Sequence, residues 1–160
     1  MAVKNPIKPT DRETEVVPWG PNKVIISEET HPNTQLTVIE TVVLPGHSHA
    51  WHVHDDADEV LYVISGDGFA TVGEGNRVSI TRGDYVYIPR GTYHDTHNKG
   101  WAPLHMLVFY GPGLRMDPRD AELPFRRVFF PADAGVQWET SFEPADPSFQ
   151  TYHGEDRPQA

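Results

Sequence analysis

The sequence predicts an all-β chain folded as an antiparallel jelly-roll barrel. Short runs rich in Val, Ile, Thr and Tyr recur between residues 23 and 110. Clusters of Gly, Pro, Asn and Asp separate them, the punctuation expected of turns. No internal repeat interrupts the series, so many short strands must close on one core as a sandwich or barrel.

Residues 1–15 are polar with two prolines and read as an arm, extended to residue 22 when the chain is divided. Lys23–Ser27 and Gln35–Leu44 read as strands, with His31-Pro-Asn as the turn between them. Pro45-Gly46 closes the second strand, and His47 to His54 opens the next. Glu59–Ser65 is apolar on both faces, as expected near the middle of a closed sheet. Gly66-Asp-Gly68 predicts a hairpin into Phe69–Val72, which runs out to Gly73-Glu-Gly-Asn76. Arg77–Thr81 returns, Arg82-Gly-Asp84 turns into Tyr85–Ile88, and strands around His94 and over Leu104–Tyr110 finish the barrel, 23–112. In the extension, 113–160, Asp117–Leu123 predicts one or two helical turns ended by Pro124, and Phe125–Phe130 a further strand. Its last thirty residues carry Trp138, Phe142, Phe149 and Tyr152, enough to dock on a surface but too few for a core.

Two stretches carry the chemistry. In the first, His52 and His54 are two apart and share one face of an extended strand, and Glu59 follows an acidic break. In the second, His94 follows a Pro-Arg-Gly turn. Three imidazoles and a carboxylate form a ligand set for one divalent transition metal. The first stretch places Gly46, His52, His54, Glu59 and Gly66 in the pattern G-(x5)-H-x-H-(x4)-E-(x6)-G. The second places Gly83, Pro89, Gly91, His94 and Asn98 in the pattern G-(x5)-P-x-G-(x2)-H-(x3)-N. These patterns resemble the paired signature of the cupin superfamily over residues 35–110. That resemblance implies a double-stranded β-helix, a small single-domain protein, His52, His54, Glu59 and His94 as metal ligands, and a homodimer formed through a sheet.

Composition bounds the partners. One domain accommodates the 160 residues, and 13 basic against 23 acidic residues leave a formal charge of −10. Phosphate backbones and anionic membranes are poor partners for such a surface, so nucleic acid and membrane are excluded. There is no cysteine, hence no disulfide and no thiolate ligand or nucleophile. The N-terminal residues lack the apolar run of a signal peptide, and the expected location is the cytoplasm.

A degenerate barrel whose polar residues merely hydrogen-bond is the bland alternative, but every ligand position is filled and a buried Glu59 needs a cation. The other histidines fare differently. His47 and His49 precede the ligand pair with opposite parity and are expected to face solvent, unless a bulge reverses them. Alternation likewise turns His97 away from His94, while Thr92, Thr96 and Asn98 share the inward face. His105 lies in a strand apolar on both faces, a proton-shuttle candidate set against a satisfied core histidine. Glu59 and His105 are thus the candidate catalytic residues. Arg77, Arg82, Arg90 and Lys99, the basic residues of 35–110, sit mostly beside turns, which favours an uncharged or mostly apolar substrate. The ligand set admits Fe, Mn, Ni, Co, Cu and Zn. An Fe(II) dioxygenase acting on a small organic molecule is the favoured reading. Non-redox isomerase, epimerase, lyase or decarboxylase chemistry and a small-molecule-binding protein are the alternatives.

Overall fold

A computed structural model describes residues 5–75 and 77–114, together with the backbone of 128–130. Among them are eleven strands: β1 Thr14–Val17, β2 Gly20–Ile26, β3 Thr37–Val43, β4 Ser48–His52, β5 Asp58–Ser65, β6 Asp67–Val72, β7 Val78–Thr81, β8 Tyr85–Ile88, β9 His94–His97, β10 Leu104–Gly111 and β11 Val128–Phe130. They form a seven-stranded sheet, ordered β11-β1-β2-β3-β10-β5-β8, and a four-stranded sheet, ordered β4-β9-β6-β7. Every pairing is antiparallel. The all-β jelly-roll expectation is therefore met.

Alternation explains where the core lies. Along β10, Leu104, Met106, Val108 and Tyr110 are buried while the residues between them are partly exposed. Leu61 and Val63 of β5 and Ile39 and Val43 of β3 project to the same interior. Ala70 and Ile80 close it from the smaller sheet. These apolar side chains stabilise the fold by about 25 cal/mol for each Å² removed from water.

Three local expectations differ from what forms. The stretch read as an arm contains β1 and the start of β2; four residues are too few to show a period, and pairing on both sides, with β2 and β11, makes the strand. The Gly66 turn is not a hairpin, because β5 belongs to the large sheet and β6 to the small one, so the chain crosses between layers there. Gly66 has φ +86, and a Cβ on it would stand 2.3 Å from the Pro103 carbonyl oxygen, so only glycine fits this crossing. Val128–Phe130 realises part of the strand expected over 125–130, pairing Thr14 with Phe130. The helical turns expected over 117–123 and the aromatic segment after 130 lie outside the described residues. No helix among the described residues is long and apolar enough to cross a membrane.

Candidate metal centre

The two sheets bring His52, His54, Glu59 and His94 together. One donor atom from each lies within 4.8 Å of all the others. His52 and His94 are cross-strand partners on the small sheet. Glu59 stands on β5 of the large sheet, opposite Tyr110 and Ile88. His54 follows β4, where its carbonyl oxygen accepts from the Gly91 N–H at 2.8 Å and ties the segment to the turn before His94. Beside Glu59, Asp58 accepts from the Arg90 backbone N–H and Nε, both at 3.0 Å, fixing the same turn.

The distances define what the donors can do. His94 Nε2 is 2.9 Å, and His54 Nε2 3.3 Å, from Glu59 Oε2. His52 Nε2 is 3.2 Å from His54 Nε2. His52 Nδ1 donates to the Ala50 carbonyl at 2.7 Å, and His94 Nδ1 to the Thr92 carbonyl at 3.0 Å. A carbonyl only accepts, so each Nδ1 carries the proton and each Nε2 offers a lone pair to the centre. Glu59 Oε2 and His94 Nε2 are both buried and make no hydrogen bond of good geometry in spite of their closeness. Acceptors pressed together out of water are costly unless a cation lies between them. The donor set therefore fits a divalent transition metal.

The electrostatics agree. Burial would raise the Glu59 carboxyl, but the imidazoles of His54 and His94 held against it together outweigh that and keep the group at about 2. Burial lowers His52 to about 4, helped by the neighbouring His94 and His54. Burial opposes protonation of His94, but the Glu59 carboxylate, the Thr92 carbonyl and the Asp95 charge together outweigh it and leave the group raised. Burial and the Glu59 charge push the Tyr110 hydroxyl well above its ordinary range. Tyr110 packs edge-on against His54, ring centroids 5.0 Å apart. Its even parity with Val108 and Met106 was the available sequence signal for that placement.

The remaining histidines divide sharply. β4 pairs Ser48 with His97 and His49 with Thr96, then His52 with His94, so a bulge inserts one residue between His49 and His52. The expectation that His49 faces solvent is thereby corrected: its ring stacks 4.0 Å from His52 and 4.0 Å from Trp19. Burial, with the three nearby imidazoles, lowers it well below its ordinary range. His97 projects away from the cluster as alternation requires, but it is buried, 3.1 Å from Asp95 and 3.4 Å from Arg77. Asn98 serves the backbone, donating to the Val43 and Ala102 carbonyls at 2.8 Å and accepting from Gly100. The structure does not bring His105 to the centre. It alternates with the inward Leu104 and Met106, faces the outer side of the large sheet, and its Nε2 lies 2.7 Å from Glu40 Oε1. It therefore stands apart from the four converging donors.

A jelly roll with a four-donor centre between its sheets defines a class of small metal-site barrels, and comparison with known proteins places this one. A family model described as a cupin domain matches residues 39–110. An uncharacterized protein of Methanocaldococcus jannaschii is 32% identical over 87 residues, 52% of this chain and 69% of that protein. A putative mannose-1-phosphate guanylyltransferase of Vibrio cholerae is 33% identical over 90 residues, 56% of this chain but only 18% of that protein. Among solved structures, a predicted oxalate decarboxylase from Thermotoga maritima aligns with a TM-score of 0.58 at 21% identity, covering 66% of this chain and 97% of that one. A variant of the Bacillus subtilis oxalate decarboxylase aligns with a TM-score of 0.55 at 24% identity, covering 61% of this chain and 27% of that one. The chain belongs to the cupin superfamily.

Proposed function

We propose that this cupin is an enzyme that uses one divalent transition metal, Fe(II) in the favoured case, to oxygenate a small, mostly uncharged organic substrate. The observation that carries the reading is the asymmetry of the four donors. Glu59 and His94 are closed off at 2% exposure, whereas the His54 side chain keeps 21%, so the set is open on one side only. Catalytic metal sites keep such an open position and structural ones do not. Bound there, the metal supplies Lewis acidity and, as iron, one-electron chemistry with dioxygen.

The chain's own residues set the conditions. Glu59 contributes the one negative charge, and the carbonyls of Ala50 and Thr92 fix the tautomers of His52 and His94. Leu61, Val63, Met106 and Val108 make the interior behind them apolar. Among the described residues no Lys or Arg is buried, so nothing beyond the metal is available inside to neutralise a phosphate or a dianion. This supports an uncharged substrate over the sugar phosphate and oxalate in the names of two relatives.

Non-redox chemistry such as decarboxylation is the second reading, favoured by the structural neighbours named as oxalate decarboxylases. Elemental analysis followed by oxygen-electrode assays with catechols and 1,3-diketones separates the two. One iron per chain with substrate-dependent oxygen uptake is the expected result. Turnover that proceeds equally without oxygen overturns the oxygenase reading in favour of the second. We also read the protein as a homodimer in the cytoplasm. Support for the dimer comes from Tyr85 and Tyr87, 70% and 59% exposed on edge strand β8.

A further inference from the structure

We propose that His49 is a substrate-contacting residue, an imidazole that hydrogen-bonds to the oxygen-bearing, metal-chelating end of the substrate. This rests on the metal-dependent reading above and extends it to substrate recognition.

Three observations carry it. First, the β4 bulge turns His49 to the same face as His52, with Thr96 as its cross-strand partner. Second, Glu59 and His94 are closed off from solvent, whereas His49, His52 and His54 all stay partly exposed, so His49 lies on the accessible side of the centre. Third, the contacts of His49 are made by its ring faces, to Trp19 on one side and His52 on the other, with interplanar angles of 32° and 36°. Neither ring nitrogen has a hydrogen-bond partner among the described residues, unlike Nδ1 of His52 and His94.

An imidazole held by its faces with its edge unengaged presents one donor and one acceptor in a fixed direction. Polar groups left unpaired in a partly desolvated pocket favour a ligand that pairs them and reject one that cannot. The chemical class follows: an enol, diketone, catechol or hydroxy-carbonyl compound whose oxygens reach both the metal and the ring beside it. His49 is not among the four residues whose donors converge, so it is not assigned as a ligand.

The test uses the 160-residue chain reconstituted with Co(II), whose visible absorption reports ligand exchange. Acetohydroxamate, a bidentate oxygen chelator with a hydrogen-bonding amide, is titrated beside thiocyanate, a monodentate ligand with a weakly accepting outer end. His49→Phe keeps a flat ring between Trp19 and His52 but removes both nitrogens. It is expected to bind one Co(II), to weaken acetohydroxamate about 3- to 10-fold, the loss of one hydrogen bond, and to change thiocyanate less than about twofold. His49→Gln, which restores a donor and an acceptor, is expected to recover most of the acetohydroxamate affinity. Equal acetohydroxamate affinity in wild type and His49→Phe overturns the role of His49 while leaving the metal reading intact. Loss of Co(II) from both variants also overturns it, since His49 then supports the metal and not the ligand. Failure of the wild type to take up Co(II) overturns the metal reading itself.

Discussion

His52 and His54 bring their Nε2 atoms to 3.2 Å of one another, with His52 Nδ1 committed to a backbone carbonyl. Two imidazole nitrogens hold that separation through a shared proton or a shared cation. His52→Ala, His54→Ala or His94→Ala is accordingly expected to weaken metal binding by more than about 100-fold, beyond the usual effect of residues behind a ligand. His97→Ala is expected to keep full occupancy while lowering the melting temperature, because it removes a buried partner of Asp95. Stoichiometric metal in the His94 variant would falsify the ligand set.

Glu59 supplies charge that the imidazoles cannot. Glu59→Gln is expected to fold, to bind metal more weakly, and to lose more in kcat than in KM. Asp55→Asn and Asp56→Asn serve as controls with unchanged metal content. Asp58→Asn is expected to lower thermal stability without metal loss, since Asp58 holds Arg90. If an Asp variant loses the metal and Glu59→Gln keeps it, the carboxylate is misassigned.

Proton competition at the centre begins at His94. Its pKa lies above the ordinary 6.5 because Glu59, the Thr92 carbonyl and Asp95 together outweigh the effect of burial, whereas burial lowers His52 to about 4. As pH falls, Nε2 of His94 is protonated first, and a protonated nitrogen cannot hold a metal. Dialysis at a series of pH values is expected to show full occupancy near 7.5 and loss below about 6. Retention at pH 4 contradicts the assignment.

The Glu40–His105 pair affects stability and not turnover. Hydrogen bonding to His105 outweighs burial and lowers the Glu40 carboxyl below 4.5. A carboxylate depressed in the folded state contributes stability that is present above 4.5 and disappears as pH falls through the folded value. His105→Ala is expected to cost about 1 kcal/mol near neutral pH, with the gap to wild type closing in acid. Turnover falling in parallel at neutral pH would return His105 to the chemistry.

For assembly, light scattering at micromolar concentration is expected to give twice the chain mass. Tyr85→Glu with Tyr87→Glu is expected to yield monomers that still bind metal. A wild-type monomer rules out the dimer.

The sequence made the four converging donors legible through motif spacing, with cross-strand pairing bringing His52 and His94 together. His52 and His54 are an i, i+2 pair, and the Pro89–Gly91 turn fixes where β9 begins. Strand parity misplaced His49, because a single inserted residue between two ladder pairs leaves no compositional mark. His105 could not be oriented from a strand apolar on both faces; only the Glu40 partner across β3 settles it. The Gly66 turn resembled a hairpin because its residues match one, and which sheet receives β6 is decided by long-range pairing with β9. Trp19 sits where no period was readable, yet it is 8% exposed and forms one end of the ring stack.

Because Glu59 belongs to the large sheet and His52 and His94 to the small one, an ion held by all three is a clasp joining the two layers. Pulling the layers apart must break it, so its binding free energy adds to the resistance of the barrel to unfolding. Each tenfold rise in free metal above the dissociation constant should add about 1.4 kcal/mol. The melting temperature of this barrel then serves as a gauge of the ion that its surroundings provide.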